Sequence, residues 1–170
     1  MKIETSKPAN QRDVTKERVA TWLVMHQATR VLQEHVERRL DESTHLSWLE
    51  FELLWRLKLA ADHPLQMNEL AARLLASPSG ITRVADRLER EGLITRETPT
   101  DNRRIVQVAL TPLGASTLAD ADRAFHDGLR EAMSDALTAD DGVRLRRIMR
   151  KLLEHNGAWS AERCDPMATP

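Results

Sequence analysis

The chain has 170 residues, 41% of them hydrophobic and 30% charged, and a formal net charge of −1. That composition fits one helix-rich domain with room for a core. The balanced charge excludes a globally basic nucleic-acid binder, so any basic surface has to be local. A single cysteine, Cys164, excludes an intrachain disulfide, and no apolar run approaches the ~18–20 residues that span a membrane.

Residues 1–14 are polar, contain Pro8 and Asn10, and read as a loose arm. The opening MKIETSKPANQRDVTKER lacks the apolar core of a signal peptide, which makes a cytoplasmic location the expectation. From about Thr15 to Leu40 the apolar residues Val19, Trp22, Leu23, Val31, Leu32, Val36 and Leu40 predict a helix that is apolar on more than one side.

A second helix is expected from Ser47 to about Ala60. Ser47 and Glu50 fit a capping box, Leu46 and Phe51 fit a hydrophobic staple, and Pro64 disfavours helix in the residue before it. Leu65 and Gln66 suit a very short strand. Asn68 is a candidate cap for a third helix over Glu69–Leu75.

SPSGITRVADRLEREGLI (77–94) then opens with a Ser-Pro helix start and closes at Gly92. Ile81, Val84, Ala85 and Leu88 form its apolar stripe, while Ser79, Gly80, Thr82, Arg83, Arg87 and Arg90 form its polar face.

The period changes next. LITRET (93–98) and RIVQVALT (104–111) partly alternate and carry β-branched residues, as two strands do, with PTDN (99–102) as the turn. Thr111-Pro112 starts a helix with a stripe of Leu113, Leu118, Ala121, Phe125, Leu129 and Met133. Thr138 caps a last helix striped by Val143, Leu145, Ile148, Met149, Leu152 and Leu153. Residues 158–170 read as a frayed tail.

The order is helix, helix, helix-turn-helix, two-stranded wing, helix, helix. The expected fold is mainly α with a small β-hairpin wing, a winged helix-turn-helix flanked by extra helices. In such a motif the second helix of the pair enters the major groove.

On that reading Arg83 and Arg87 grip guanine edges or phosphate, for which the planar guanidinium fork is suited. Ser77, Ser79 and Thr82 are short donors near the helix N-terminus, where phosphate is favoured. Gly80 costs helix stability, for which either close backbone approach to DNA or tight helix packing would compensate. Arg103 and Arg104 flank the wing tip on opposite strand faces. One would reach the minor groove and the other would pair with Asp101.

LAARL (70–74), SPSGITRVADRLEREGLITR (77–96) and NRRIVQVALTPLG (102–114), in this order and spacing, closely resemble the multiple-antibiotic-resistance regulator (MarR) family. The resemblance covers roughly residues 19–155. One departure is Asn102-Arg103-Arg104, where the family often has Asp-Arg-Arg.

The resemblance implies a homodimeric, ligand-responsive repressor on duplex DNA, at a pseudo-palindromic inverted-repeat operator. It implies one regulator domain over 15–157, with a DNA-binding lobe at 46–111 and dimerisation helices at 15–45 and 112–157. It also implies a small aromatic or phenolic effector between dimer helices and DNA-reading lobe. Trp22, His26, His45, Trp48 and Glu52 are the candidates to line that pocket, and core packing is the other role open to the tryptophans. The urate-responsive regulators of the family pair a Trp with an Asp near these positions, where this chain has Trp22 and Glu52.

The six histidines are scattered, without metal-ligand spacing, so no metal and no cofactor are expected. An enzyme is disfavoured by the lack of a Gly-rich phosphate loop or a nucleophile with a base partner. A winged helix that binds only protein would not need Arg83, Arg87 and a wing arginine together.

Overall fold

A computed structural model describes residues 9–60, 63–98, 105–134 and 136–164. Its first helix, α1 (Ala9–Thr44), outruns the expected span at both ends. Between Pro8 and His45 there is no Gly or Pro, so nothing stops the helix from reaching into residues 9–14, which composition assigned to the arm. It stops at His45, whose φ of +56° is left-handed.

Helix α2 (Trp48–Leu59) has the expected capping box: Ser47 Oγ accepts from the Glu50 N–H, and the Glu50 carboxylate accepts from the Ser47 N–H at 2.8 Å. Glu50, Phe51, Leu53, Leu54, Arg56 and Leu57 are all buried, which makes α2 the central helix of the lobe.

Strand β1 (Leu65–Gln66) leads directly into α3 (Met67–Arg73). The helix therefore starts earlier than an Asn68 cap would place it. The Glu69 carboxylate receives the Gln66 N–H at 2.8 Å, and Asn68 Oδ1 accepts from Glu69 N inside the first turn. The reason is tertiary: pairing with a later strand holds Gln66 extended, so the helix begins at the next residue.

Helix α4 (Pro78–Arg90) is capped by Ser77 as expected. It ends in a Schellman motif: the Gly92 N–H reaches Glu89 O and the Leu93 N–H reaches Leu88 O, both at 2.9 Å. That motif requires the left-handed φ of +72° at Gly92.

Strands β2 (Ile94–Glu97) and β3 (Gln107–Leu110) pair antiparallel from Ile94↔Leu110 to Glu97↔Gln107, shorter than the apolar alternation suggests. The expected turn at 99–102, and Arg103 and Arg104, lie outside the described residues. β1 adds to the other edge of β3, with Leu65 opposite Val108, giving the order β1-β3-β2.

The last elements are α5 (Pro112–Met133), α6 (Ala139–His155) and a short α7 (Ala161–Cys164) within the span read as frayed. Leu40 of α1, Phe51, Leu53 and Leu54 of α2, Leu70 of α3, Ile81 and Leu88 of α4, and Leu118 of α5 meet in one core with Ile94 and Val108 of the sheet.

Among the described residues, apolar side chains are exposed along two helices. Helix α6 has no buried residue, and Val143, Leu145, Ile148 and Leu152 are exposed along it. On α1, Val19, Trp22, Leu23 and Val24 are exposed as well.

Gly114 fixes how α5 meets the sheet. A Cβ there would lie 1.9 Å from the Leu93 carbonyl oxygen. Thr111 closes the same corner: its Oγ1 donates to Gly92 O at 2.7 Å and accepts from Gly114 N at 2.9 Å. Gly114→Ala is therefore expected to cost about 2–3 kcal/mol through overpacking. Thermal denaturation at fixed protein concentration checks this, and an unchanged midpoint would contradict it.

Candidate nucleic-acid interface

The exposed face of α4 is built on a fixed helix start. Ser77 Oγ accepts from Gly80 N at 3.1 Å and lies 3.3 Å from Ser79 Oγ. Thr82 Oγ1 donates back to Pro78 O at 2.9 Å. Ser77, Ser79 and Thr82 are all exposed, so the structure brings them together at one helix end. A Cβ on Gly80 would sit 3.1 Å from Ser77 Oγ. Room for the cap is thus a local reason for glycine there.

Ile81, Ala85 and Leu88 bury the opposite face of α4. Arg83 projects from the exposed face, and among the described residues no acceptor holds its guanidinium. Arg90, at the other end of the helix, is exposed too, so Arg83 and Arg90 are the arginines of α4 whose donors are available to an outside ligand.

Arg87, also expected at the DNA, makes contacts within the protein. Its Nε donates to Glu91 at 2.9 Å, one Nη meets the Glu50 carboxylate at 3.0 Å, and the other donates to His45 O at 3.1 Å. Hydrogen bonding to Glu91, then the charge of Glu50, raises its pKa above the usual arginine value. The fork is committed within the protein, tying α4 to α2 and to the α1–α2 turn.

A second clamp joins α4 to the wing. Arg96 on β2 meets Asp86 at 2.6 Å and donates through Nε to Glu89 at 2.9 Å. The hydrogen bond from Arg96 holds the Glu89 carboxyl below its ordinary range. Arg96 was not singled out from sequence. The available signal was a basic residue on a short strand following a helix that ends in acidic residues.

The five candidate effector residues do not form one group within a protomer. Trp22 is 60% exposed and stacks on His26 with ring centroids 5.1 Å apart. The His45 side chain is exposed beside Asp41. Trp48 packs against Phe51 and Phe125, and Glu52 pairs with the buried Arg56 at 3.2 Å. A helix rises about 1.5 Å per residue, so roughly 27 Å of α1 separates His26 from Thr44. The length of α1 is the physical reason that one chain does not bring the five residues together.

Comparisons with known proteins agree with this geometry. The model of the MarR family matches residues 46–106, which run from the start of the lobe into β3's approach. The transcriptional repressor MprA of Escherichia coli K12 is 30% identical over 138 residues, covering 81% of this chain and 77% of its own. Sco3205, a MarR-family transcriptional regulator from Streptomyces coelicolor solved in complex with DNA, is 29% identical with a TM-score of 0.73, covering 86% of this chain and 94% of its own. The organohalide-sensing regulator RdhR, solved with 2,4-dichlorophenol bound, shares the fold at 21% identity and a TM-score of 0.73, covering 91% and 89%.

Two of the three arginines of α4, Arg83 and Arg87, should separate by stability alone. Arg87→Ala strips a charged donor from a buried carboxylate and is expected to cost about 2 kcal/mol. Arg83→Ala should stay within about 0.5 kcal/mol of the wild type. Urea titrations of both variants check the ordering, and the reverse order would contradict it.

Proposed function

The chain belongs to the MarR family of DNA-binding transcription regulators, and from that premise we propose that it acts as a homodimeric repressor released from an inverted-repeat operator by a small aromatic effector. The observation that carries the DNA-reading part is Arg83: an exposed arginine on a helix held by a core face and by clamps to α2 and β2. A guanidinium presented this way suits bidentate contact with guanine in the major groove. Ser77, Ser79 and Thr82 would meet phosphate at the N-terminus of the helix, where its dipole favours anions. Gly80 would let the backbone approach. Arg103 and Arg104 of the wing would take neighbouring phosphates or the minor groove.

The exposed apolar faces of α1 and α6 support a dimer, since a second copy would cover them. Two-fold symmetry then calls for half-sites whose centres lie about one turn, ~10 bp, apart. Repression is the role that the name of MprA carries, and RdhR is a fold relative that holds a phenol. In the dimer, Trp22 and His26 of one protomer would approach His45, Trp48 and Glu52 of the other, because their own chain holds them apart.

Footprinting on the region upstream of the protein's own gene tests the operator. An inverted repeat protected by two chains is expected, and a single asymmetric half-site bound by one chain would contradict it. Arg83→Ala should lose roughly 1–3 kcal/mol per half-site and relax preference at one base position.

The effector reading has its own test. Trp22→Ala and Trp48→Ala should keep operator binding but respond poorly to the phenol that releases the wild type. Full responsiveness in both would place the effector elsewhere.

A further inference from the structure

Between α6 and the C-terminal segment lies a cleft of about 610 Å³, within the usual size range of small-molecule sites. Arg146, Arg147 and Arg150 line it together with Trp159, Met149 and Leu153. The cleft is a product of the chain path. Helix α6 ends with Gly157 at φ +64°, and the Ala158 N–H returns to Leu153 O at 2.8 Å. That reversal lays Trp159 back along the face carrying residues 146, 149, 150 and 153, which share one side of a helix.

The wall is anchored. The Arg150 guanidinium lies 4.8 Å from the Trp159 ring centroid. Arg163 donates to Ala158 O at 2.8 Å, and its own carbonyl accepts from the buried Arg56 of α2 at 2.9 Å. The segment that carries Trp159 is thereby pinned to the central helix of the lobe.

Two of the three arginines of the cleft have no carboxylate partner among the described residues. Arg150 pairs with Glu154 at 2.8 Å. Among the described residues no carboxylate pairs with Arg146 or Arg147. Two spare guanidinium forks beside a half-buried indole and two apolar side chains present complementary chemistry: a planar carboxylate for the forks, a flat ring for the indole and the thioether.

We propose that this cleft is a second ligand site, selective for small aryl carboxylates. It is distinct from the effector pocket between protomers proposed above, and its test uses no DNA, so either reading can fail alone.

The probes are 2-naphthoate and its uncharged isostere 2-naphthamide, titrated into the full chain by calorimetry. Saturable binding of one naphthoate per chain is expected, with naphthamide at least about tenfold weaker, as the loss of a charge-assisted contact implies. The double substitution Arg146→Ala with Arg147→Ala should weaken naphthoate by about tenfold or more and leave naphthamide unchanged. Both side chains are exposed, so the variant should keep the wild-type circular dichroism. Trp159→Ala should weaken both probes. Absence of saturable binding, equal affinity for the two probes, or wild-type affinity in the arginine variant would each overturn the proposal.

Discussion

One buried carboxylate holds the winged helix-turn-helix lobe in register. Glu50 is 3% exposed, and a charge so placed is tolerable only if its lone pairs are taken. Ser47 supplies its N–H at 2.8 Å and its hydroxyl at 2.7 Å, and Arg87 supplies the opposing charge at 3.0 Å. The same group therefore starts α2 and fastens α4. Arg87 carries the connection onward to His45 O, just past the end of α1. The ion pair joins α2 to α4, and its disruption would leave an anion stranded in the core.

Helix α4 is consequently constrained on three sides. Ile81, Ala85 and Leu88 press it into the core, Arg87 ties it to α2, and Asp86 with Glu89 ties it to Arg96 on the wing. The capped N-terminal turn, Arg83 and Arg90 face outward. Arg83 and Arg87 stand four residues apart and so share one helical face. Their different roles come from their neighbours: only the later one lies over the α1–α2 turn and within reach of Glu50.

The legible parts of the fold were those governed by local rules. The caps at Ser47, Ser77, Thr111 and Thr138 each depend on a few consecutive residues, and each appears where its spacing indicates. The stop at Gly92 is of the same kind. Long-range partners were not legible. Glu50 and Arg87 are 37 positions apart, and nothing in either segment announces the other. Arg96 finds Asp86 and Glu89 only because a Schellman turn folds β2 back along α4. The candidate effector residues are spread out within one chain for a metric reason: the length of α1 separates Trp22 and His26 from the others, and periodicity alone underestimates that length. Gly114 belongs to the same class, since its need is set by the carbonyl of Leu93 on another element.

On the proposed function, Arg87 aims α4 while Arg83 touches the operator. The direct measurement is the salt dependence of operator binding for Arg87→Ala beside Arg83→Ala. Neutralising a phosphate contact flattens the slope of log K against log salt by about one unit, and losing a base contact relaxes sequence preference. If Arg87 is a brace, Arg87→Ala lowers affinity while keeping the wild-type slope and base preference, and Arg83→Ala alters one of the two. A flattened slope or a relaxed base preference in Arg87→Ala would contradict the account.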